Sequence, residues 1–489
     1  MNVFDYFFEE HYSKKKDFIV SNRENYSFEK IFHDSLALSN EIKNRIGEQK
    51  NIILIGPNSY FFVVAYLAIF KSGNTCVPLN PAVEKENLSY IIEECKASMG
   101  FISKPLVRKL NLEGLEVIDE DILSSLGEKP TEIKEFTDIS FDKERIAEII
   151  FTSGSTGMPK GVMISHKNII ANTDSIIEYL NIHEDDRMLV VLPFFYCYGL
   201  SLLHTHLKAG GSVVFNNSFI FLGAVLNDLK NHNCTGFAGV PSHFQILLRK
   251  SKDFKTMEFP SLRYVTQAGG KLHMAFISEF REAHPEIEFF VMYGQTEATA
   301  RLSYVPPAKL KEKLGSIGIG IPGVQLNVVG PDGKDVKAGE QGEIVAKGDN
   351  IMPGYLNDEE LTGQTIKDGW LHTGDLGHKD EDGFIFLTAR KKEIIKVGGK
   401  RISPKEIEEV IVSMPDIIDC SIEAVDDDLL GEAIKAIVIA DKSVQERITE
   451  NDIREYCAKH LAQFKIPQII EFKTNMTVSS TGKKVKGSL

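Results

Sequence analysis

The spacing of hydrophobic and polar positions changes along the chain, and the changes outline the fold. Over the first 240 residues, short β-branched runs alternate with helical patterns. NIILIGP (Asn51–Pro57) predicts a buried strand, and SYFFVVAYLAIFKSG has helical length and ends on Gly73. TCVPLNP predicts a second strand. In EKENLSYIIEECKAS, Leu88, Ile91, Ile92 and Cys95 share one helical face. Such alternation predicts a mainly parallel sheet covered by helices. After about residue 310 the glycine turns PDGKD and EDGF separate short strands, which predicts hairpins. From about residue 390 the chain becomes lysine-rich and then returns to alternating helices and strands. The expectation is a large unit over 1–390, β-rich from about 310, and a small one over 391–489.

Composition narrows the possibilities. At 489 residues the chain is too long for one core, and about 150 residues per domain suggests roughly three units. A formal net charge of −13 argues against nucleic acid or an anionic membrane as partner, because like charges repel. The six cysteines form no CxxC pair, which argues against zinc knuckles and disulfide scaffolds and suits a reducing compartment. The start, MNVFDYFFEEHYSKKK, has acids and aromatics where a signal peptide has basic and then apolar residues. The longest apolar run, Tyr60–Phe70, has 11 residues. A membrane span needs about 20. A cytoplasmic protein without a membrane span is expected.

Chemistry concentrates first in IIFTSGSTGMPKGVMISH, Ile149–His166. RIAEIIF predicts a strand, and Ser165 can cap a helix whose apolar positions are Ile169, Ile170, Thr173, Ile176, Ile177 and Leu180. Between them lie Thr152, Ser153, Gly154, Ser155, Thr156, Gly157 and Lys160. Glycines let backbone N–H groups converge on an anion, hydroxyls add donors and a lysine adds charge. This is a phosphate cradle. It is not a Walker A loop, because Gly161 follows Lys160 where Ser or Thr is required.

TSGSTGMPKGV resembles the signature loop of the adenylate-forming superfamily, which contains acyl-CoA synthetases, peptide-synthetase adenylation domains and luciferases. PLNPAVEKENLSYII, MYGQTEA, GEIVAKGDNIMPGYLND, WLHTGDLG, ARKKEIIKVGGKRISPKEIE and STGKKVKGSL resemble further family blocks, in family order and spacing. The chain looks most like the AMP-forming acyl-CoA synthetases. The resemblance implies an α/β fold with a large N-terminal domain of stacked sheets flanked by helices, a β-rich subdomain and a small mobile α+β C-terminal domain. It implies that a carboxylate attacks the α-phosphate of ATP, releasing pyrophosphate, and that a thiol then takes the acyl group as AMP leaves.

Roles follow residue by residue from the same resemblance. Thr152–Gly157 and Lys160 hold the outer phosphates of ATP. Tyr293 lies along adenine beside Gly294 and Gln295, Thr296 touches phosphate, and Glu297 binds Mg²⁺ with Thr152 as a second ligand. Ala268, Gly269 and Gly270 in QAGG pass close to adenine and the acyl group. Asp375 accepts from the ribose hydroxyls and Arg390 is the second ribose contact. Lys483 bridges carboxylate and α-phosphate in the first step, although its block begins Thr477-Val478 where the family has Pro and a basic residue. Lys392 is the hinge, and Lys396, Gly398 and Gly399 meet the thiol after the small domain rotates. The rest of the basic run, Lys391, Lys400, Arg401 and Lys405, reads as a solvated face.

PFFYCYGLS resembles the acyl-side block and places Tyr196, Cys197 and Gly199 at the acyl pocket. Many acyl-CoA synthetases have His where this chain has Tyr196. Amino-acid-activating members have Asp where it has Cys197. A neutral residue cannot offset a buried ammonium, so the resemblance implies a fatty, short-chain or aryl acid. CoA is the implied acceptor; a carrier protein bearing phosphopantetheine ends in the same thiol and remains open, as does a homodimer. GIGIPG (Gly318–Gly323) fits GxGxxG but runs into strand-like VQLNVV, so no dinucleotide site is expected. His204, His206, His243 and His372 lack tight ligand spacing, so no metal centre is expected beyond the nucleotide's Mg²⁺. A catalytically silent nucleotide sensor of the same fold is the alternative from another class. It predicts loss of Lys483, Glu297 or Asp375, and all three are present.

Overall fold

The computed structural model describes residues 1–110, 112–126, 140–152, 158–251, 253–390, 393–397, 400–414, 417–427, 431–440 and 447–473. Two large sheets enclose a layer of helices. The first has seven strands, with Asn51–Ile55, Thr75–Leu79 and Met99–Ile102 running parallel at its centre. The second has nine, with a parallel interior that includes Arg187–Val190, Gly236–Gly239, Tyr264–Gln267 and Glu288–Tyr293. The helix Tyr60–Lys71 lies between them and buries ten of its twelve residues. The Cys197–Ala209 helix buries eleven of thirteen. The first helix is apolar almost all round and so has to be interior, and both helices join one core that reaches both sheets. Among the described residues no helix is long and apolar enough to cross a membrane.

Most sequence-level elements are present. Ser165 caps the His166–Leu180 helix, its side chain accepting from the Asn168 N–H while Asn168 returns a bond to the Ser165 N–H. EDGF turns the chain between Trp370–Lys379 and Ile385–Arg390, which pair antiparallel within a five-stranded sheet. Gly318–Gly323 leads into the strand Gln325–Val329.

One expectation needs correction. Lys160 does not end a loop that runs straight to a helix. Lys160–Ser165 is itself a strand, antiparallel to Ile146–Thr152, with Thr152 directly opposite Lys160. Val162 and Ile164 alternate into the core along it. The two residues that flank the candidate phosphate loop, Thr152 and Lys160, are therefore paired across a hairpin, unlike the flanks of a strand–loop–helix P-loop.

The smaller C-terminal domain is α+β. Its sheet contains Ile395–Val397, Lys400–Ile402, Ile417–Asp427, Gly431–Ala440 and Ile469–Lys473, backed by the helices Pro404–Val412 and Glu450–His460. Ile407, Ile411, Ile453 and Cys457 supply buried faces to it.

Candidate active site

The segment 294–301 joins two antiparallel strands, Glu288–Tyr293 and Ser303–Val305, and its ends are closed by the Leu302 N–H donating to the Tyr293 carbonyl at 2.9 Å. The loop is tight. A Cβ on Gly294 would lie 2.0 Å from the Ala300 carbonyl oxygen, so glycine is required there by backbone contact. Thr299 has φ +64° and ψ −53°, and the Ala300 N–H bonds the Ala298 carbonyl across it at 2.7 Å. This is the strained form of the γ-turn, rare for a β-branched residue. The Thr299 hydroxyl donates to the Asn350 carbonyl, and Asn350 and Asn172 side-chain amides donate to the Arg301 carbonyl, so the conformation is held from both sides.

This loop carries Thr296 and Glu297. Thr296 is buried, and its hydroxyl lies 3.7 Å from the Cys197 sulfur at the start of the Cys197–Ala209 helix. Glu297 accepts the Tyr355 hydroxyl on Oε1 at 2.8 Å, and among the described residues Oε2 receives no hydrogen bond. The burial and the adjacent Glu297 charge raise the Tyr355 phenol, so it remains a donor. Among the described residues no group of three metal-ligating side chains gathers. One carboxylate oxygen with phosphates and water suits a hard cation such as Mg²⁺.

Asp375 lies across from this loop. The register of the EDGF hairpin sets Asp375 directly opposite Arg390. The Arg390 Nε–H donates to Asp375 Oδ1 at 2.9 Å, and the Tyr293 hydroxyl donates to Oδ2 at 2.8 Å. Burial, with the Asp375 charge beside it, pushes the Tyr293 phenol far up and keeps its proton in place. Each carboxylate oxygen retains a second lone pair for a ribose hydroxyl. The three sequence-predicted ribose and adenine residues thus form one network.

The strand Tyr264–Gln267 ends in the turn Ala268–Gly270. Gln267 Nε2 closes it on the Gly270 carbonyl at 2.8 Å, and Gly269 takes φ +82°. Tyr196 precedes the acyl-side helix, and burial pushes its phenol well up. A Cβ on Gly199 would sit 2.1 Å from the Pro193 carbonyl oxygen, and this close packing by itself accounts for the glycine.

The C-terminal domain docks beside these groups. Glu409 accepts the Met274 N–H at 2.7 Å, His273 Nδ1 at 3.3 Å and Lys271 Nζ at 3.2 Å. Burial alone would raise its carboxyl, but the His273 bond, the Lys271 charge and the Met274 N–H bring it down to about 2. Ser403 donates to the Thr388 carbonyl, and Gln245 donates to Asp419 at 3.2 Å. Lys405, read from sequence as solvated, is instead half-buried. Burial lowers its ammonium against the carboxylates of Asp375, Glu393 and Glu408. Lys396 is exposed, its N–H bound by Glu432. Ser153, Gly154, Ser155, Thr156, Gly157, Lys392, Gly398, Gly399 and Lys483 lie outside the described residues.

Sequence reasoning missed Tyr355, Asn350, Arg301 and the Lys405 placement. It also missed a buried triad in which the Tyr66 hydroxyl lies 2.7 Å from both Glu148 Oε2 and His204 Nε2. Tyr355 stands in a quoted block, PGYLND, and an acid lacking a partner in TEA was the signal to look for one. The others leave no local pattern.

Comparison with known proteins agrees with this geometry. Residues 8–356 match the AMP-binding enzyme family and 406–483 match the AMP-binding enzyme C-terminal domain. The chain is 31% identical to 2-succinylbenzoate–CoA ligase of Bacillus pumilus, over 92% of this chain and 91% of the relative. It is 30% identical to oxalate–CoA ligase of Arabidopsis thaliana, over 88% of this chain and 86% of the relative. A solved structure of O-succinylbenzoate coenzyme A synthetase from Bacillus subtilis, with ATP and a magnesium ion, superposes with a TM-score of 0.85 at 25% identity, covering 99% of this chain and 98% of that one. The chain belongs to the AMP-binding enzyme family, as an AMP-forming acid–CoA ligase using ATP and magnesium.

Proposed function

We propose that adenylation takes place between the 294–301 loop, the Asp375 network and the hairpin based on Thr152 and Lys160. The observation that carries this reading is the loop itself: one strained turn brings Thr296 against Cys197 and Glu297 against Tyr355, while Tyr293 at its root is tied to Asp375. Asp375, Arg390 and Tyr293 fix the nucleoside. Thr152, Lys160 and the intervening hydroxyls and glycines hold the outer phosphates, and Glu297 binds the Mg²⁺ that offsets their charge. Lys483 takes the role of the cation that bridges the attacking carboxylate and the α-phosphate, since an ammonium there favours the crowded negative charge of the transition state. The carboxylate oxygen forms the bond to phosphorus and pyrophosphate leaves with the electron pair.

The second step needs the CoA thiol at the acyl carbon. A boundary near Arg390 with a hinge at Lys392 allows residues 391–489 to turn, removing Lys483 and presenting Lys396, Gly398 and Gly399. The Glu409, Ser403 and Asp419 bonds are the contacts such a turn has to break. Fatty, short-chain and aryl acids are the substrate class, and the cytoplasm is the expected compartment. The test is acid-dependent ATP–pyrophosphate exchange over an acid panel, followed by CoA. Lys483→Ala is expected to lose exchange yet still convert preformed acyl-AMP to thioester. Equal loss of both half-reactions in a folded variant contradicts the role. Exchange without CoA turnover assigns a carrier protein's phosphopantetheine as acceptor, and sedimentation decides between monomer and homodimer.

A further inference from the structure

Arg301 is a buried cation in search of an anion. Only 2% of it is exposed. Its guanidinium lies over the ring of Tyr198, with Cζ 3.9 Å from the centroid. Nε approaches the Met292 sulfur at 3.4 Å and Nη1 the Ala300 carbonyl at 3.4 Å. The Tyr179 hydroxyl is a further hydrogen-bond partner. The two measured contacts are long, one acceptor is a weak sulfur, all three partners are uncharged, and a guanidinium has five N–H donors. Among the described residues no carboxylate lies within ion-pair distance of it. A cation placed among Met292, Tyr179 and Tyr198 is costly unless an anion joins it.

Its position says which anion. Arg301 ends the loop that begins with the phosphate-side residues Thr296 and Glu297. Tyr198, the ring beneath it, is the next residue after Cys197, which touches Thr296. The guanidinium also acts electrostatically on the Tyr196 phenol. It therefore stands at the acyl end of the site, inside the helix start that carries all three acyl-side candidates. The loop delivers it rigidly, through the γ-turn at Thr299 and the two asparagines on its carbonyl. A purely structural arginine has no use for such aim, and a pocket for an apolar acyl tail has no use for the charge.

Resting on the adenylation reading above, we propose that Arg301 is a specificity-determining residue that pairs with a second acidic group on the substrate, so that the acid activated is a dicarboxylate or an equivalent acid with an anionic tail. Reaction occurs at one carboxylate while the fork of Arg301 binds the other.

The test measures binding, so it needs no turnover. Inert acyl-sulfamoyl adenosines are made in pairs, ω-carboxyl tails from malonyl to adipoyl and phthaloyl, each against an acyl group of matched size without the charge. Calorimetry with wild-type protein is expected to show at least one charged tail binding about tenfold tighter or more than its neutral partner. Arg301→Met is expected to abolish or invert that preference while neutral analogues bind within about threefold of wild type. Arg301→Lys is expected to retain part of it. If no charged tail gains over its neutral partner in wild type, or if Arg301→Met keeps the gain, the proposal is overturned while the ligase reading stands. If no analogue of any kind binds, both fall. The wild-type comparison decides even if the methionine variant fails to fold.

Discussion

Two arginines stand on the loop and strands that build this site, and they are opposites. Arg390 is half-exposed, with a carboxylate directly opposite it on the neighbouring strand and a 2.9 Å bond to that carboxylate. Arg301 is buried, with a sulfur, a carbonyl, the Tyr179 hydroxyl and the Tyr198 ring around it, all of them uncharged. The first is a finished ion pair that shapes a binding surface before any ligand arrives. The second holds charge in reserve at a cost to the fold. An arginine paired with a carboxylate organises protein groups, and a buried one with only uncharged partners implies a charge that the ligand brings.

The largest effect is expected where the finished pair is broken. Asp375→Ala removes the acceptor of both Arg390 and Tyr293. Charge-assisted bonds are each worth about 1.5–3 kcal/mol, so ATP–pyrophosphate exchange should fall about a hundredfold or more in kcat/KM. A fall under tenfold would mean that the network is structural rather than nucleotide-binding.

Glu409 offers the same kind of finished pairing between domains. Its folded carboxyl titrates at about 2 against an ordinary 4.5. The group's contribution is therefore complete above pH 4.5 and is lost as pH falls towards 2, on the order of 2–3 kcal/mol. Glu409→Gln should loosen docking of the C-terminal domain at neutral pH. Hydrogen exchange at the Met274 amide reads this directly, since that N–H donates to Glu409. Unchanged protection at Met274 contradicts the latch.

How much of this was legible in the sequence follows the range of the interactions. Ser165 and its helix were readable because a cap and its partner lie three residues apart. Tyr60–Phe70 was readable as too short for a membrane, and it is the buried helix between the sheets. Asp375 and Arg390 were readable singly as members of two blocks. Their pairing depends on strand register, which the EDGF turn and a bulge set together. The Lys160–Ser165 strand was obscured because its six residues run directly into the Ser165 cap and look like an extension of the loop. Arg301 was invisible, since EATAR has no period and the residue's meaning lies wholly in what surrounds it in space. Lys405 was misread for the same reason: a lysine in a basic run looks solvated, and only the folded structure shows it half-buried.

A third buried ionisable group sharpens the comparison by titrating. Burial raises Glu148 to about 7 from 4.5, although the Tyr66 hydroxyl bond pulls the other way. The folded state therefore binds more protons than the unfolded one between those values. Stability should decline as pH rises from 4.5 to 7, by about 3 kcal/mol at most, and level off above. When Glu148 is protonated it can donate to Tyr66, whose hydroxyl then donates to neutral His204, which burial holds at about 3. Glu148→Gln should flatten the slope in pH-dependent thermal unfolding. A slope that survives the substitution assigns it to other groups.

The smallest shift is the most discriminating. Replacing a buried, paired charge destabilises, because its partner is left alone, whereas replacing a buried charge that has no carboxylate partner by an apolar side chain of similar length removes a cost. Asp375→Ala should therefore lower the Tm of the unliganded protein. Arg301→Met should leave it unchanged or raise it by about 1–2 °C. The methionine would meet Met292 and the Tyr198 ring, surroundings that favour a thioether over a guanidinium. The backbone hold on residue 301 does not depend on the side chain, since Asn172 and Asn350 grip its carbonyl. A clear loss of Tm in Arg301→Met would show that the guanidinium already has its partner within the protein, and would erase the difference between the two arginines.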